Sequence, residues 1–262
     1  MGVDPQNMKS SHFILSPSHV GKEPNGLCAM AIMTKAPRAG EVKTRLTPPL
    51  TAEEAARLNV CFLRDIAEAV LAAGDGVGAV GCYTPTDAAG FYEGVLPHEF
   101  KLLPQRGSDL TERLILAVED LLRLGFSSVC LIGSDTPTVP ASVYAEAVTM
   151  LSLPGDRVIL GPADDGGYYL IGLKKLQRSL FEQISWSSES VLAETVSKAR
   201  ALELPVHLLT AGYDVDDRVT LARLCHDLVD ANRDEEEIAA KATRSFLHEI
   251  IDREGRNRIC PE

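Results

Sequence analysis

The six cysteines are scattered through the chain without one CxxC spacing, so neither a zinc ribbon nor a dithiol redox motif has a basis. Four of them lie in apolar runs, where cysteine behaves as a small buried hydrophobe, and reduced thiols are expected throughout. Positive charge is also scarce. Lys and Arg number 26 against 37 Asp and Glu, a formal net charge of −11, which excludes a general nucleic-acid binder. No apolar run reaches membrane-spanning length, and residues 1–26 carry prolines and polar spacers rather than the core of a secretory signal. A soluble, cytoplasmic protein without membrane partners is therefore expected, with 1–26 as a poorly ordered or extended tail and 27–262 as one domain. Walker A, GxGxxG and GxSxG signatures are all absent, and no two histidines stand at metal spacing. His207 and His226 are read as structural.

What is present is an alternation. Apolar runs short enough for buried strands occur at 27–33, 77–83, 129–133, 158–161, 168–173 and 206–209. Helical patterns fill most of the gaps. Thr51 with Glu54 forms a capping box ahead of an apolar face at Leu58, Phe62, Ile66 and Val70, and Asp109 with Glu112 repeats the signal. Further helices are predicted over 141–151, 188–201, 218–229 and 234–251. Such alternation means βαβ units and a mostly parallel sheet flanked by helices, a Rossmann-like α/β domain. Only residues 162–167 separate the runs at 158–161 and 168–173, too few for a crossover, so those two strands are predicted to be antiparallel neighbours.

Four segments carry side chains suited to chemistry. After the first strand comes a Pro/Gly loop with Lys35, Gly40, Lys43 and Arg45, where an α/β sheet places its ligands and where cations suit a diphosphate or triphosphate. A second strand delivers Ser134 and Asp135 to its carboxyl tip, and a carboxylate there is suited to Mg²⁺ together with substrate phosphates. The third segment, Asp164, Asp165, Gly166 and Gly167, has more carboxylates and glycines than a turn requires, with Tyr168 or Tyr169 available for stacking. In the fourth, Asp214, Asp216 and Asp217 precede a helix; they could cap it, or Asp216 could join Asp135 at a metal. Gln105 to Asp109 also precede a helix N-terminus, a natural anion site, although capping by Asp109 explains part of it.

Taken in order, these segments resemble a bacterial glycosyltransferase-like family in the nucleotide-diphospho-sugar transferase superfamily. The resemblance runs from about Ala29 to about Leu224. It is carried by Met33 to Pro37 with Gly40, by Lys43 to Leu46, and by Asp109, Leu110, Glu112, Arg113 and Leu114. Gly133 to Pro137, Gly161 to Tyr168 and Tyr213 to Asp216 complete it. More distantly the order is similar to that of 2-phospholactate guanylyltransferases. Those have Gly-Thr-Asn where this chain has Gly167, Tyr168 and Tyr169, so their specificity does not carry over.

The resemblance implies a single-domain GT-A-like fold with a short antiparallel insertion. It implies a nucleotide or nucleotide-sugar donor, a small-molecule acceptor, and Mg²⁺ or Mn²⁺ held by Asp135 and Asp216. Nucleotide contacts are expected from Lys35, Gly40, Lys43, Arg45, Asp109, Ser134, Gly166 and Gly167. Catalytic roles are expected for Lys43, Arg45, Asp135 and Asp165, with Asp164 or Asp165 as acceptor base. Metal-dependent glycosyl transfer is the leading expectation. Nucleotidyl transfer to a phosphorylated acceptor and a non-catalytic nucleotide sensor are the alternatives.

Overall fold

A computed structural model describes residues 11–18, 26–230 and 240–260. Seven strands form one sheet in the order β3-β2-β1-β4-β6-β5-β7. They are β1 (Cys28–Lys35), β2 (Val77–Thr84), β3 (Lys101–Pro104), β4 (Ser128–Ile132), β5 (Val158–Pro162), β6 (Tyr168–Leu173) and β7 (Val206–Leu208). β6 runs antiparallel to both its neighbours, β4 and β5, while the other pairings are parallel. The short 162–167 loop thus closes a hairpin inside a parallel sheet, as its length requires. Among the described residues the α-helices are α1 (Ala52–Leu71), α2 (Leu110–Leu124), α3 (Ala141–Ser152), α4 (Val191–Ala201), α5 (Arg218–Cys225) and α6 (Lys241–Glu254). No helix among the described residues is long and apolar enough to cross a membrane.

Both faces of β1 are covered, which is why it reads as a continuous apolar run. Met30 and Ile32 pack with Leu63, Ile66 and Val70 of α1 and with Val143, Ala147 and Leu151 of α3. Ala29 and Ala31 face the other way, toward Leu114, Val118 and Leu121 of α2. A third apolar cluster joins α1 to α5 and α6 through Leu58, Phe62, Leu221, Leu224, Phe246 and Leu247. It also takes in Leu46 and Leu50, so the loop after β1 is seated on the C-terminal helices.

Four features add to or depart from the sequence expectations. The edge strand β3 was not among the predicted runs: it has four residues and ends in proline, so it shows neither length nor alternation. Residues 11–15, within the segment expected to be a poorly ordered or extended tail, run beside β3 through an isolated parallel bridge between Ile14 and Leu102. The Leu15 amide donates to the Leu102 carbonyl at 2.7 Å, the Leu102 amide donates to Phe13, and Leu15 is buried. Third, the cysteines are not all free. Cys225, at the end of α5, forms a disulfide with Cys260, whereas Cys28, Cys61, Cys82 and Cys130 are buried thiols. The helix predicted over 234–251 starts at Lys241, and 231–239 lie outside the described residues.

Glu54 shows why the start of α1 is rigid. Its backbone amide and the Thr51 side chain close the capping box, while its carboxylate pairs with Arg253 and Arg258. Its hydrogen bond to Arg258 is the largest cause holding the carboxyl down at about 2. A depressed carboxylate stabilises the fold above its unfolded pKa of about 4.3, and that contribution disappears as pH falls toward 2. We expect Glu54 to account for a loss of about 2 kcal/mol between pH 5 and pH 2.5. Urea unfolding at the two pH values should show a difference for wild type that is smaller by about that amount in Glu54→Gln.

Candidate active site

The parallel strands end on one side of the sheet, and the loops leaving them supply the polar side chains. Beyond β1 the chain turns through Lys43, which adopts a left-handed conformation (φ 50°) ahead of a short 3₁₀ turn over Thr44–Leu46. This turn directs the Lys43 side chain inward: it is 4% exposed, and its ammonium lies 5.3 Å from the Phe62 ring centre. There Nζ meets Asp135 Oδ1 at 2.6 Å and Asp216 Oδ1 at 3.0 Å, and donates to the Val215 carbonyl at 2.9 Å. Arg45 reaches the other oxygen of Asp216 at 3.0 Å from a mostly exposed position. One ammonium therefore joins the loop after β1, the tip of β4 and the segment before α5.

Asp135 is oriented on two sides. The Ser134 hydroxyl donates to its Oδ1 at 3.0 Å, and its carbonyl accepts from the Val215 amide at 2.9 Å. Asp216 is set by Thr220, whose hydroxyl accepts from the Asp216 amide, while Asp217 takes the capping role at α5. The capping and cluster functions open to this segment are thus divided between neighbouring carboxylates. Asp214 completes the group. Burial, and then the nearby charges of Asp135, Asp165 and Asp216, push its carboxyl up to about 7. The sequence reading gave Asp214 only a possible capping role; the structure instead sets it beside the cluster, with the buried Val215 between it and Asp216.

Two clefts flank this ridge. A polar cleft of about 260 Å³ is lined by Lys35, Lys43, Arg45, Asn59, Asp135 and Asp216, among others. Asn59, on α1, is buried, and its Oδ1 has no hydrogen-bond partner. A buried carbonyl oxygen left unpartnered at the wall of a polar cleft is costly unless a ligand or water meets it. Lys35 currently pairs with Glu41 at 3.4 Å. The second cleft, about 240 Å³, is bounded by Gly133, Asp165, Gly167 and Asp214 on the ridge side and is otherwise mostly apolar.

The remaining predicted residues are placed elsewhere. Asp109 caps α2, accepting from the Glu112 amide at 2.9 Å, and lines neither cleft. Gln105 bridges the Thr34 and Cys82 carbonyls, and Arg106 pairs with Asp120, so this segment is accounted for structurally. Gly40 turns with φ +76° in open space. Asp164 pairs with Arg223 at 2.6 Å, which leaves Asp165 as the carboxylate at the ridge, its Oδ1 accepting from the Gly167 amide. His207 pairs with Glu146 and His226 with Asp230.

Gly166 has a steric reason to be glycine. Its φ is +86°, and a Cβ would lie 2.2 Å from the Glu189 carbonyl oxygen. Gly166→Ala should therefore displace the 162–167 hairpin from the 188–190 turn. The expected cost is about 2–4 kcal/mol, checked by denaturant unfolding.

Among the described residues no group of three His, Cys, Asp or Glu is placed to hold a metal. Asp135 and Asp216 do converge on a single cation, with hard oxygen donors, and Mg²⁺ sites often use one or two carboxylates plus substrate phosphates. On the chemistry of its donors the pair fits such an ion.

Comparisons with known proteins agree with the architecture. A family model described as "uncharacterized protein conserved in bacteria" (DUF2064) matches residues 66–188. A Desulfovibrio desulfuricans protein, provisionally named a nucleotide-diphospho-sugar transferase, is 30% identical over 86% of this chain and 95% of its own, with a TM-score of 0.75. A cytidylyltransferase from Leptospira borgpetersenii is 11% identical, with a TM-score of 0.52 over 90% of this chain and 97% of its own, and shares the fold alone. No curated protein matches by sequence. The fold is of the GT-A-like kind, a mostly parallel seven-stranded sheet with one antiparallel strand.

Proposed function

The chain belongs to the DUF2064 family, and from that premise we propose that it is a divalent-metal-dependent transferase using a nucleotide-activated donor, most simply a nucleotide-sugar glycosyltransferase. The observation that carries this reading is the single buried ammonium of Lys43 shared by Asp135 and Asp216 at the strand tips, with Arg45 and Lys35 beside it. Two further carboxylates, Asp165 and Asp214, stand close enough to act on the group electrostatically, so it carries more negative than positive charge. Such an excess favours an added cation, and a phosphate-bearing ligand would bring both its counter-ion and its own partners for Lys35 and Arg45.

In this reading Lys43 and Arg45 exchange carboxylate partners for donor phosphates, and Asp135 and Asp216 hold Mg²⁺ or Mn²⁺. The ion's contribution would be to neutralise charge on the departing nucleoside diphosphate. An acceptor hydroxyl oxygen bonds to the anomeric carbon as the bond to the nucleoside diphosphate breaks, the bonding pair leaving with the phosphate. The hydroxyl proton passes to Asp165, the carboxylate left without a cation on its hairpin. Ser134 fixes Asp135 throughout.

Three cations around one polar cleft also favour a second reading, nucleotidyl transfer from a triphosphate. Product analysis separates the two. Release of a nucleoside diphosphate from a nucleotide sugar supports glycosyl transfer, and pyrophosphate from a nucleoside triphosphate supports the second reading. Neither product, with any donor and Mn²⁺ present, would remove the enzyme assignment.

A further inference from the structure

The apolar cleft has no role in holding a donor's phosphates, and its chemistry differs sharply from that of its neighbour. The two clefts share one ridge. Gly133 and Asp214 face the apolar side, whereas Ser134, Asp135 and Asp216 face the polar side. A molecule seated in the apolar cleft would therefore present its nearest group to the same ridge that the donor phosphates meet from the opposite side.

Resting on the transferase reading above, we propose that this cleft is the acceptor subsite, and that the acceptor is an uncharged alcohol with a flat apolar body rather than a phosphorylated molecule. Met33, Leu110, Leu114, Tyr168, Trp186 and Val191 form its walls. Among the described residues lining it there is no Lys, Arg or His, while Asp165 and Asp214 stand at the ridge. A phosphate placed there would face carboxylates with no cation to neutralise it, and a desolvated, unpaired charge is strongly disfavoured. A hydroxyl meets the opposite circumstance, because a carboxylate accepts its hydrogen bond. Apolar walls with a few polar groups at one end are the usual form of a small-molecule site.

The aromatic wall is held in place before any ligand arrives. Trp186 Nε1 donates to the Thr111 hydroxyl at 2.8 Å, and its ring stands edge-on to Tyr168, with centroids 6.4 Å apart and planes at 74°. A ring anchored at both its polar and apolar parts offers a fixed face for stacking. Leu110 is otherwise unexplained: it is 47% exposed at the first position of α2, where a polar residue would serve. Its side chain completes the apolar wall. The cleft's volume of about 240 Å³ equals that of about eight liquid waters, enough for a single ring and a short arm.

Trp186 is the only tryptophan in the chain, so its fluorescence reports on this cleft directly. The full-length protein, with Mn²⁺ present, would be titrated with 2-phenylethanol and separately with 2-phenylethyl phosphate. A saturable emission change with the alcohol, at least tenfold weaker with the phosphate ester, is expected. Leu110→Asp should weaken the alcohol response about tenfold while its melting temperature and its stabilisation by nucleotide stay as in wild type. Equal or tighter binding of the ester, or no response to either compound, overturns the inference. Nucleotide-induced stabilisation is read in the same samples and rests on Lys43, Arg45, Asp135 and Asp216 of the polar cleft, so its presence keeps the transferase reading when the acceptor assignment fails. Its absence counts against the transferase reading whatever the alcohol does.

Discussion

Lys43→Met should lower turnover by about two to three orders of magnitude and should make the protein's stability depend on added metal. The kinetic size follows from removing one fixed, preorganised positive group at a site of charge development. The stability effect has a separate cause. In wild type the buried ammonium compensates Asp135 and Asp216. Without it the two carboxylates face each other beside Asp214, which burial and its acidic neighbours already push up to about 7. Asp135 and Asp216 are each about a third exposed, so solvent screens part of the loss and the expected cost is about 1–3 kcal/mol. At this size that lowers the melting temperature by roughly 2–10 °C in chelator. Mn²⁺ should restore most of it, because an ion can take the place of the lost ammonium, whereas wild type should respond less. Lys43→Arg should not rescue activity: the planar fork of Arg does not replace a compact ammonium shared by two carboxylates and a carbonyl. Melting curves in EDTA and in Mn²⁺, with steady-state rates for the three proteins, check each part.

Asp65→Ala should be among the most destabilising single changes far from the clefts, at about 3 kcal/mol. Asp65 lies on α1, but its carboxylate accepts from the amides of Ala242 and Thr243, at 2.8 and 2.9 Å, and from the Thr243 hydroxyl. It caps α6 from another helix, and the residue at the cap position itself, Ala240, supplies no side-chain cap. Burial pushes the Asp65 carboxyl up, and these three donors pull it back. Truncation would leave helix amides and a buried hydroxyl without partners, each costing about 1–3 kcal/mol. The third apolar cluster, which also seats Leu46 and Leu50, should loosen with it. A fall of about 6–12 °C in melting temperature is expected. Asp65→Asn should recover part of it, since one carboxamide oxygen can still accept.

These two sites differ in how far the sequence discloses them. The Lys43–Asp135–Asp216 cluster was legible because each member sits at a strand tip or a loop between periodic segments, and a parallel sheet brings such tips to one side. The antiparallel placement of β6 was legible from loop length alone. The Asp65 cap was not, since its partners lie 177 and 178 residues away and nothing local distinguishes Asp65 from an acidic residue on a solvated helix face. The Cys225–Cys260 pairing was hidden for the same reason, the two cysteines being 35 positions apart and matching no spacing motif. Asp109 shows the opposite case. At a helix start that resembles an anion site, its carboxylate already takes one amide as a cap. The apolar cleft was partly legible: Tyr168 stood out as a stacking residue, but Leu110 and Trp186 join it only through tertiary packing of α2 against the 186–191 segment.

The most direct test of the central claim is the melting temperature of the pure protein against nucleoside diphosphates, triphosphates and nucleotide sugars, with and without Mn²⁺, beside Asp135→Ala. A ligand at a hundred times its dissociation constant adds about 2.7 kcal/mol, a rise of roughly 5–10 °C for a chain of this size. The account predicts such a rise for at least one nucleotide, dependent on Mn²⁺ and absent in the variant. No rise with any nucleotide at saturating concentration would contradict it.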